Sequence, residues 1–188
     1  MPDFISEIEA ALASNSPIPK DEVLKWIAAA GNDLRSLAKL NLLTNVAYYR
    51  IQPELGKETT CALIQRYLLE CVRQNVQYDD EIEPRFNACM SLVAWFNHLL
   101  DRKESEIIAV AARAVTDFYL KSDPALRNAI ETGFLEHALE TPALRPYFEF
   151  WSRDERLQDA WKLCLEWGEA HPGQTRRMFQ QLREGFKE

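Results

Sequence analysis

Glycine is scarce in this sequence, and so are the patterns that mark β-strands. Only 6 of the 188 residues are glycine, against an average usage of about 7%. No Asn-Gly or Asp-Gly pair joins two segments of alternating apolar and polar residues, the arrangement typical of a β-hairpin. These absences argue against a fold built on a sheet and favour helices.

We expect no segment that would carry the chain into or across a membrane. No apolar run approaches the roughly 20 residues that span a bilayer. The start of the chain, MPDFISEIEAAL, lacks the basic and apolar regions of a signal peptide. No Cys-x-x-Cys pair occurs, so we expect reduced, buried thiols in a cytoplasmic protein; the four cysteines are Cys61, Cys71, Cys89 and Cys164.

The motifs of common helical enzymes do not occur either. A carboxylate-bridged di-iron bundle needs Glu-x-x-His, and none of the three histidines follows a glutamate at that spacing. The sequence contains no H-E-x-x-H, P-loop, G-x-G-x-x-G or G-x-S-x-G. We therefore expect neither a metal ion nor another cofactor, and a non-enzymatic protein is the favoured reading.

The formal net charge is −7 at neutral pH. An acidic protein repels polyanions, so neither nucleic acid nor an anionic membrane is an expected partner. The same charge attracts a basic protein over distance. The composition thus points to a protein partner with a positive surface.

Helix start and stop signals punctuate the chain at short intervals. Gly31 fits a helix C-cap, and either Asn32 or Asp33 then starts the next helix. Asp123 fits an N-cap, and Ser152 with Glu155 fits a capping box. Apolar residues recur between these signals with the 3.6-residue helical period. The predicted helices cover residues 3–13, 20–30, 33–51, 57–76, 82–100, 104–121, 125–140, 156–170 and 175–186.

The short connections between these segments predict antiparallel helical neighbours. No linker is long enough to divide the chain, so we expect one all-α domain over residues 1–188, with eight or nine helices. The pair 104–121 and 125–140 spans about 40 residues, the period of HEAT-like repeats. A compact bundle and a short HEAT-like stack both fit the pattern.

Aromatic residues are concentrated between residues 145 and 168. Trp161 falls on the apolar face of its predicted helix, so we expect it in the core, with Trp167 covering a helix end. Between two helix start signals lie Tyr147, Phe148, Phe150 and Trp151, and we expect them to form a short helix that plugs a groove between long helices. A ligand-facing aromatic box is the alternative.

The histidines differ in their expected surroundings. His98 lies on the polar side of its helix, and His171 ends a helix, where a cation complements the dipole. His137 lies on an apolar stripe, so we expect it to bond to the backbone or to a carboxylate; as an alternative it is a general base, with Glu136 or Glu140 nearby.

Two sets of residues are candidates for a functional site. The first is an acidic patch that could bind a basic partner: Asp79, Asp80, Glu81 and Glu83. The alternative interpretation is that these charges only stabilise the start of a helix. The second would line an internal pocket: His137, Asn41, Asn45, Tyr147 and Trp151. Asn41 and Asn45 either anchor a loop or form the polar floor of a groove.

The run SDPALRNAIETGFLEHALETPALRPYFEFWSRDERLQDAW, which starts at Ser122, resembles a helical family of uncharacterised bacterial proteins. That family carries a D-x-x-x-R-N-A-(I/V)-x-x-(G/S)-F-(L/I)-E-x-L helix, followed by an R-P-Y-(F/L) segment. The matching positions here are Asp123, Arg127, Asn128, Ala129, Ile130, Gly133, Phe134, Leu135, Glu136, Leu139, Arg145, Pro146, Tyr147 and Phe148. The resemblance implies a bacterial origin and an all-helical fold, and it assigns no catalytic residue.

These observations favour a protein-binding module. Its most concrete form is an immunity-like inhibitor of a basic partner, such as a nuclease toxin. The first alternative is a helical bundle that binds or transforms a small molecule in a pocket near His137 and Trp151. A structural homo-oligomer is the second.

Overall fold

The protein is described by a computed structural model that covers residues 4–77 and 79–185, with side chains up to residue 181. The predicted all-α class is confirmed. The described residues form ten α-helices, nine of them with seven or more residues, and one sheet of two very short strands. By their internal contacts, Met1–Pro84 and Arg85–Glu188 form two compact units. The expectation of a single domain stays a prediction.

The first unit contains four helices. Two dipeptide strands pair in parallel, with Ile18 opposite Ile51. The elements are α1 (Phe4–Ala13), β1 (Ile18–Pro19), α2 (Lys20–Ala30), α3 (Leu34–Val46), a 3-10 turn (Tyr48–Arg50), β2 (Ile51–Gln52) and α4 (Lys57–Gln74).

Local capping explains where these helices begin and end. The Asp33 carboxylate accepts a hydrogen bond from the Ser36 backbone N–H at 2.9 Å, so Asp33, one of the two predicted starting residues, is the N-cap of α3. Gly31 ends α2 with a φ of 50°, as expected of a C-cap. The helix predicted over residues 33–51 is shorter: α3 ends at Val46, and a 3-10 turn follows.

The second unit contains six helices and two 3-10 segments. They are α5 (Arg85–Asp101), α6 (Ser105–Lys121), α7 (Pro124–Ile130), a π-helical turn (Glu131–Leu135), α8 (Glu136–Leu139), 3-10 segments at Pro142–Tyr147 and Glu149–Arg153, α9 (Gln158–Ala170) and α10 (Gln174–Gly185). The core is aromatic, with Phe96, Phe134, Phe148 and Trp151 all at 1% exposure or less.

The helix predicted over residues 125–140 forms, and it contains a π-helical turn at Glu131–Leu135. The predicted capping box is wrong, because α9 begins at Gln158 without a side-chain cap, while Asp154 accepts the backbone N–H of Arg156 instead. Trp161 is confirmed as a buried residue.

The cysteines provide a direct test of this packing. Burial raises the pKa of Cys71 to about 11 and that of Cys89 to about 12, and it also raises the pKa of the Cys164 thiol. Cys61 is only partly buried. Because the thiolate is the reactive form, we expect one cysteine, Cys61, to react first with an aromatic disulfide reagent at pH 8.

The other three thiols should react only as the protein unfolds. A Cys61→Ser variant is the control, since it should lose the fast phase and keep the slow ones. Two or more fast thiols in the folded wild-type protein would contradict the described packing.

Candidate functional site

The acidic segment, defined as Asp79, Asp80, Glu81 and Glu83, is anchored within the first unit. The buried Tyr67 hydroxyl on α4 donates to the Glu81 carbonyl and accepts the Glu83 backbone N–H, each at 3.3 Å. Asp79 accepts the Glu81 N–H at 2.9 Å through its side chain. Glu83 is partly buried, and Asp80 and Glu81 are exposed. The segment is therefore a fixed turn.

Two cations of α3 hold this turn. Arg35 Nη2 lies 3.8 Å from Asp79 Oδ2, and Lys39 Nζ contacts both Glu81 Oε1 and Glu9 Oε1. The hydrogen bond to Glu81, and then that to Glu9, raises the pKa of Lys39. Part of the predicted acidic patch is consequently neutralised by its own unit, because Asp79 and Glu81 are each paired with a cation.

Apolar residues are exposed farther along the same helix. Leu42 is 43% exposed, Val46 is 55% exposed, and Tyr49 in the following 3-10 turn is 77% exposed. On a helix, residues 35, 39, 42 and 46 fall on one stripe. We call Leu42, Val46 and Tyr49 the apolar end of α3. At the other end of this stripe, Arg35 and Lys39 are paired with the acidic segment.

The sequence reasoning missed these three residues. A signal was available: α3 carries leucines at positions that a single core-facing stripe cannot all accommodate.

Asn45 is exposed next to Val46, while Asn41 is partly buried and its carbonyl accepts the Thr44 hydroxyl at 3.0 Å. Both amides belong to the first unit, whereas His137, Tyr147 and Trp151 belong to the second.

In the second unit, His137 joins a buried hydrogen-bond cluster. Its Nδ1 lies 2.9 Å from Oε1 of Glu140 and 3.0 Å from the Thr175 hydroxyl. Glu140 is 2% exposed, and its other oxygen accepts the Thr175 backbone N–H at 2.6 Å. The carboxylate therefore caps the first turn of α10, where the helix dipole favours negative charge. The expectation that His137 bonds to a carboxylate is confirmed.

This cluster lies at one side of a cleft of about 620 Å³ in the second unit. Trp167 forms part of the wall; its ring stacks on His171 at 4.0 Å and is perpendicular to the His137 ring at 6.4 Å. His171 also caps α9 through Nδ1 and the Trp167 carbonyl, as the sequence predicts. The cleft is lined by Phe86, Asn87, Met90, His137, Glu140, Trp167, Gln174, Thr175, Arg177, Met178, Phe179 and Gln181.

The aromatic residues of the predicted pocket occupy other positions. Trp151 is completely buried, and its Nε1 donates to the Thr116 hydroxyl at 2.8 Å. Tyr147 is partly buried at the end of a 3-10 segment. Neither is among the residues that line the cleft at His137. Trp151 is thus a core residue whose single hydrogen-bond donor is already used.

Within residues 4–77 and 79–185, no helix is both long and apolar enough to cross a bilayer. The same residues contain no group of three or more His, Cys, Asp or Glu side chains placed to hold a metal ion. No family model, curated protein or solved structure matches the chain, so the resemblance of the run from Ser122 stays a prediction.

Proposed function

We propose that this protein binds a basic, amphipathic segment of another protein along α3. The proposal is supported by the stripe on that helix, where exposed apolar side chains lie at one end and Arg35 and Lys39, at the other end, are paired with the fixed acidic turn. Such a surface matches a helix that presents apolar residues at spacings of three and four and basic residues beyond them.

The charge of the first unit supports a basic partner. Its 84 residues include 13 acidic and 8 basic side chains, so it accounts for −5 of the net charge of −7. Long-range attraction of this kind mainly raises the association rate. The same charge opposes pairing of two copies through this surface, which disfavours the homo-oligomer as its occupant.

The apolar end would supply the short-range part of the binding energy. Completely burying an exposed Leu or Val side chain contributes about 1.5–3 kcal/mol, so half-exposed residues such as Leu42 and Val46 could each contribute about 1 kcal/mol. Tyrosine is a frequent anchor at protein interfaces, and Tyr49 is the most exposed of the three. An inhibitor of a basic toxin is the most concrete form of this proposal.

A peptide experiment tests the surface. The probe is a labelled helical peptide of about 18 residues, with leucine on one face and lysine on the other, and its counterpart has glutamate in place of lysine. We expect the lysine peptide to bind and the glutamate peptide not to bind. Val46→Ser should weaken binding about fivefold or more, the loss expected from removing apolar contact area.

The chain offers matched controls for both parts of the surface. Val110 on α6 is 67% exposed, so Val110→Ser removes a comparable side chain elsewhere and should leave the affinity unchanged. Asp80→Lys should slow association at low salt more than Asp117→Lys, with the difference vanishing near 1 M salt, where the Debye length is about 3 Å. Equal effects within each pair would refute the proposed surface.

A further inference from the structure

The imidazole ring of His137 is hydrogen-bonded at one nitrogen, and its other nitrogen is open to the cleft. Glu140 and Thr175 occupy the Nδ1 side of the ring. Both hydrogen bonds of the ring to described residues are made at Nδ1 and none at Nε2, and the side chain keeps 20% of its surface accessible. Because a buried carboxylate fixes the ring, Nε2 is held ready for a ligand.

Arg177 gives the same cleft a permanent positive charge. Its Nη1 donates to the Pro172 carbonyl at 2.8 Å, which holds the guanidinium at the start of α10. None of the side chains described up to residue 181 places a carboxylate within ion-pair distance of Arg177. The Glu140 charge, by contrast, is enclosed by Thr175 and His137. The exposed polar groups of the cleft therefore favour an anion.

The walls of the cleft are mainly apolar. Phe86, Met90, Trp167, Met178 and Phe179 supply two sulfur-containing and three aromatic side chains. Thioethers and aromatic rings make favourable contacts with a flat aromatic ring. The volume of about 620 Å³ lies in the range usual for small-molecule sites.

We propose that this cleft binds a small aromatic carboxylate. The ring of the ligand would lie against the apolar walls, and its carboxylate would contact Arg177 and Nε2 of His137. Because Glu140 and Thr175 occupy the Nδ1 side, the ring presents its Nε2 nitrogen to the ligand. This site lies wholly in the second unit and is independent of the proposed α3 surface.

Calorimetry with 2-naphthoate and its neutral analogue 2-naphthamide tests the proposal on the full-length chain. The two probes share a ring system and differ in charge. We expect saturable binding of 2-naphthoate that is about tenfold or more tighter than that of 2-naphthamide. Equal affinities, or no saturable binding of 2-naphthoate up to about 5 mM, would overturn the proposal.

Two variants test the residues without removing the buried cluster. His137→Asn keeps an N–H donor near the Nδ1 position for Glu140 but lacks Nε2, and Arg177→Gln removes the charge. Each should weaken 2-naphthoate binding about fivefold or more and leave 2-naphthamide binding unchanged. The controls His98→Asn and Arg176→Gln alter an exposed histidine and the neighbouring arginine, and should leave both affinities unchanged.

A spectroscopic readout locates the ligand. In nitrogen-resolved NMR of the imidazole rings, 2-naphthoate should shift the His137 Nε2 signal while the His98 signals stay in place. If the His137 signals do not move at saturating 2-naphthoate, the ligand binds elsewhere and the assignment of this cleft is wrong.

Discussion

Replacing Trp151 by alanine is expected to lower the free energy of unfolding by about 3–5 kcal/mol, the usual loss when a large aromatic side chain is removed from a core. Trp151 has no exposed surface, and its ring centroid lies 4.9 Å from that of Tyr119 and 6.3 Å from that of Phe148. The substitution would leave a cavity that the surrounding rings can fill only in part. Urea unfolding followed by far-UV circular dichroism measures the loss.

Two further substitutions separate the causes. Trp151→Phe keeps most of the ring volume but removes the Nε1 donor to Thr116, so it should cost about 1–2 kcal/mol. Trp167→Ala removes a tryptophan that is 39% exposed and should cost clearly less than Trp151→Ala. A loss below about 1 kcal/mol for Trp151→Ala would place Trp151 outside the core and restore it as a candidate for an aromatic box.

The features that the sequence predicted correctly depend on a few neighbouring residues. Asp33 and Gly31 act within one turn of the helix ends they cap, and His171 caps its own helix through the carbonyl four residues earlier. The pairing of His137 with Glu140 is also local, because residues three apart are neighbours on a helix. Local geometry therefore sufficed for these features.

The remaining features depend on contacts between distant parts of the chain. Thr175 is 38 residues from His137, and no local pattern links the two. The ion pair of Lys39 with Glu81 spans 42 residues, so the sequence could not show that this acidic side chain is already paired. The π-helical turn likewise occurs where Gly133 packs closely against Cys89 of α5. Helical periodicity alone contains none of this information.

The apolar end of α3 was missed for a different reason. Periodicity identifies the stripe that faces the core, but it assigns every additional leucine or valine to the same core. Exposure can be read only once the neighbours are known, and it is the exposed fraction of Leu42 and Val46 that distinguishes an interaction surface from packing. The acidic segment could be found from sequence because its charges are contiguous.

A single glycine controls the approach of α9 to α8 and thereby the wall of the His137 cleft. A Cβ atom at Gly168 would lie 2.6 Å from the carbonyl carbon of Leu139 and 2.9 Å from the backbone nitrogen of Glu140. Trp167 directly precedes Gly168, and His171 lies three residues after it. The close contact of Gly168 with Leu139 and Glu140 therefore places Trp167 beside the histidine cluster. Backbone atoms cannot move aside as the end of a flexible side chain can.

Gly168→Ala should therefore destabilise the protein by about 2–3 kcal/mol through overpacking, although alanine in an exposed helix interior is favoured over glycine by about 1 kcal/mol. Gly133→Ala is the matched control: its added Cβ would meet only the Cys89 side chain, at 3.1–3.2 Å, so its cost should be smaller. Both variants are measured by urea unfolding, with amide hydrogen exchange of α9 reporting the local loosening. Helix propensity alone predicts that Gly168→Ala raises stability. If that result is observed, α9 does not approach Leu139 and Glu140 this closely. In that case this contact does not hold Trp167 in the wall of the cleft.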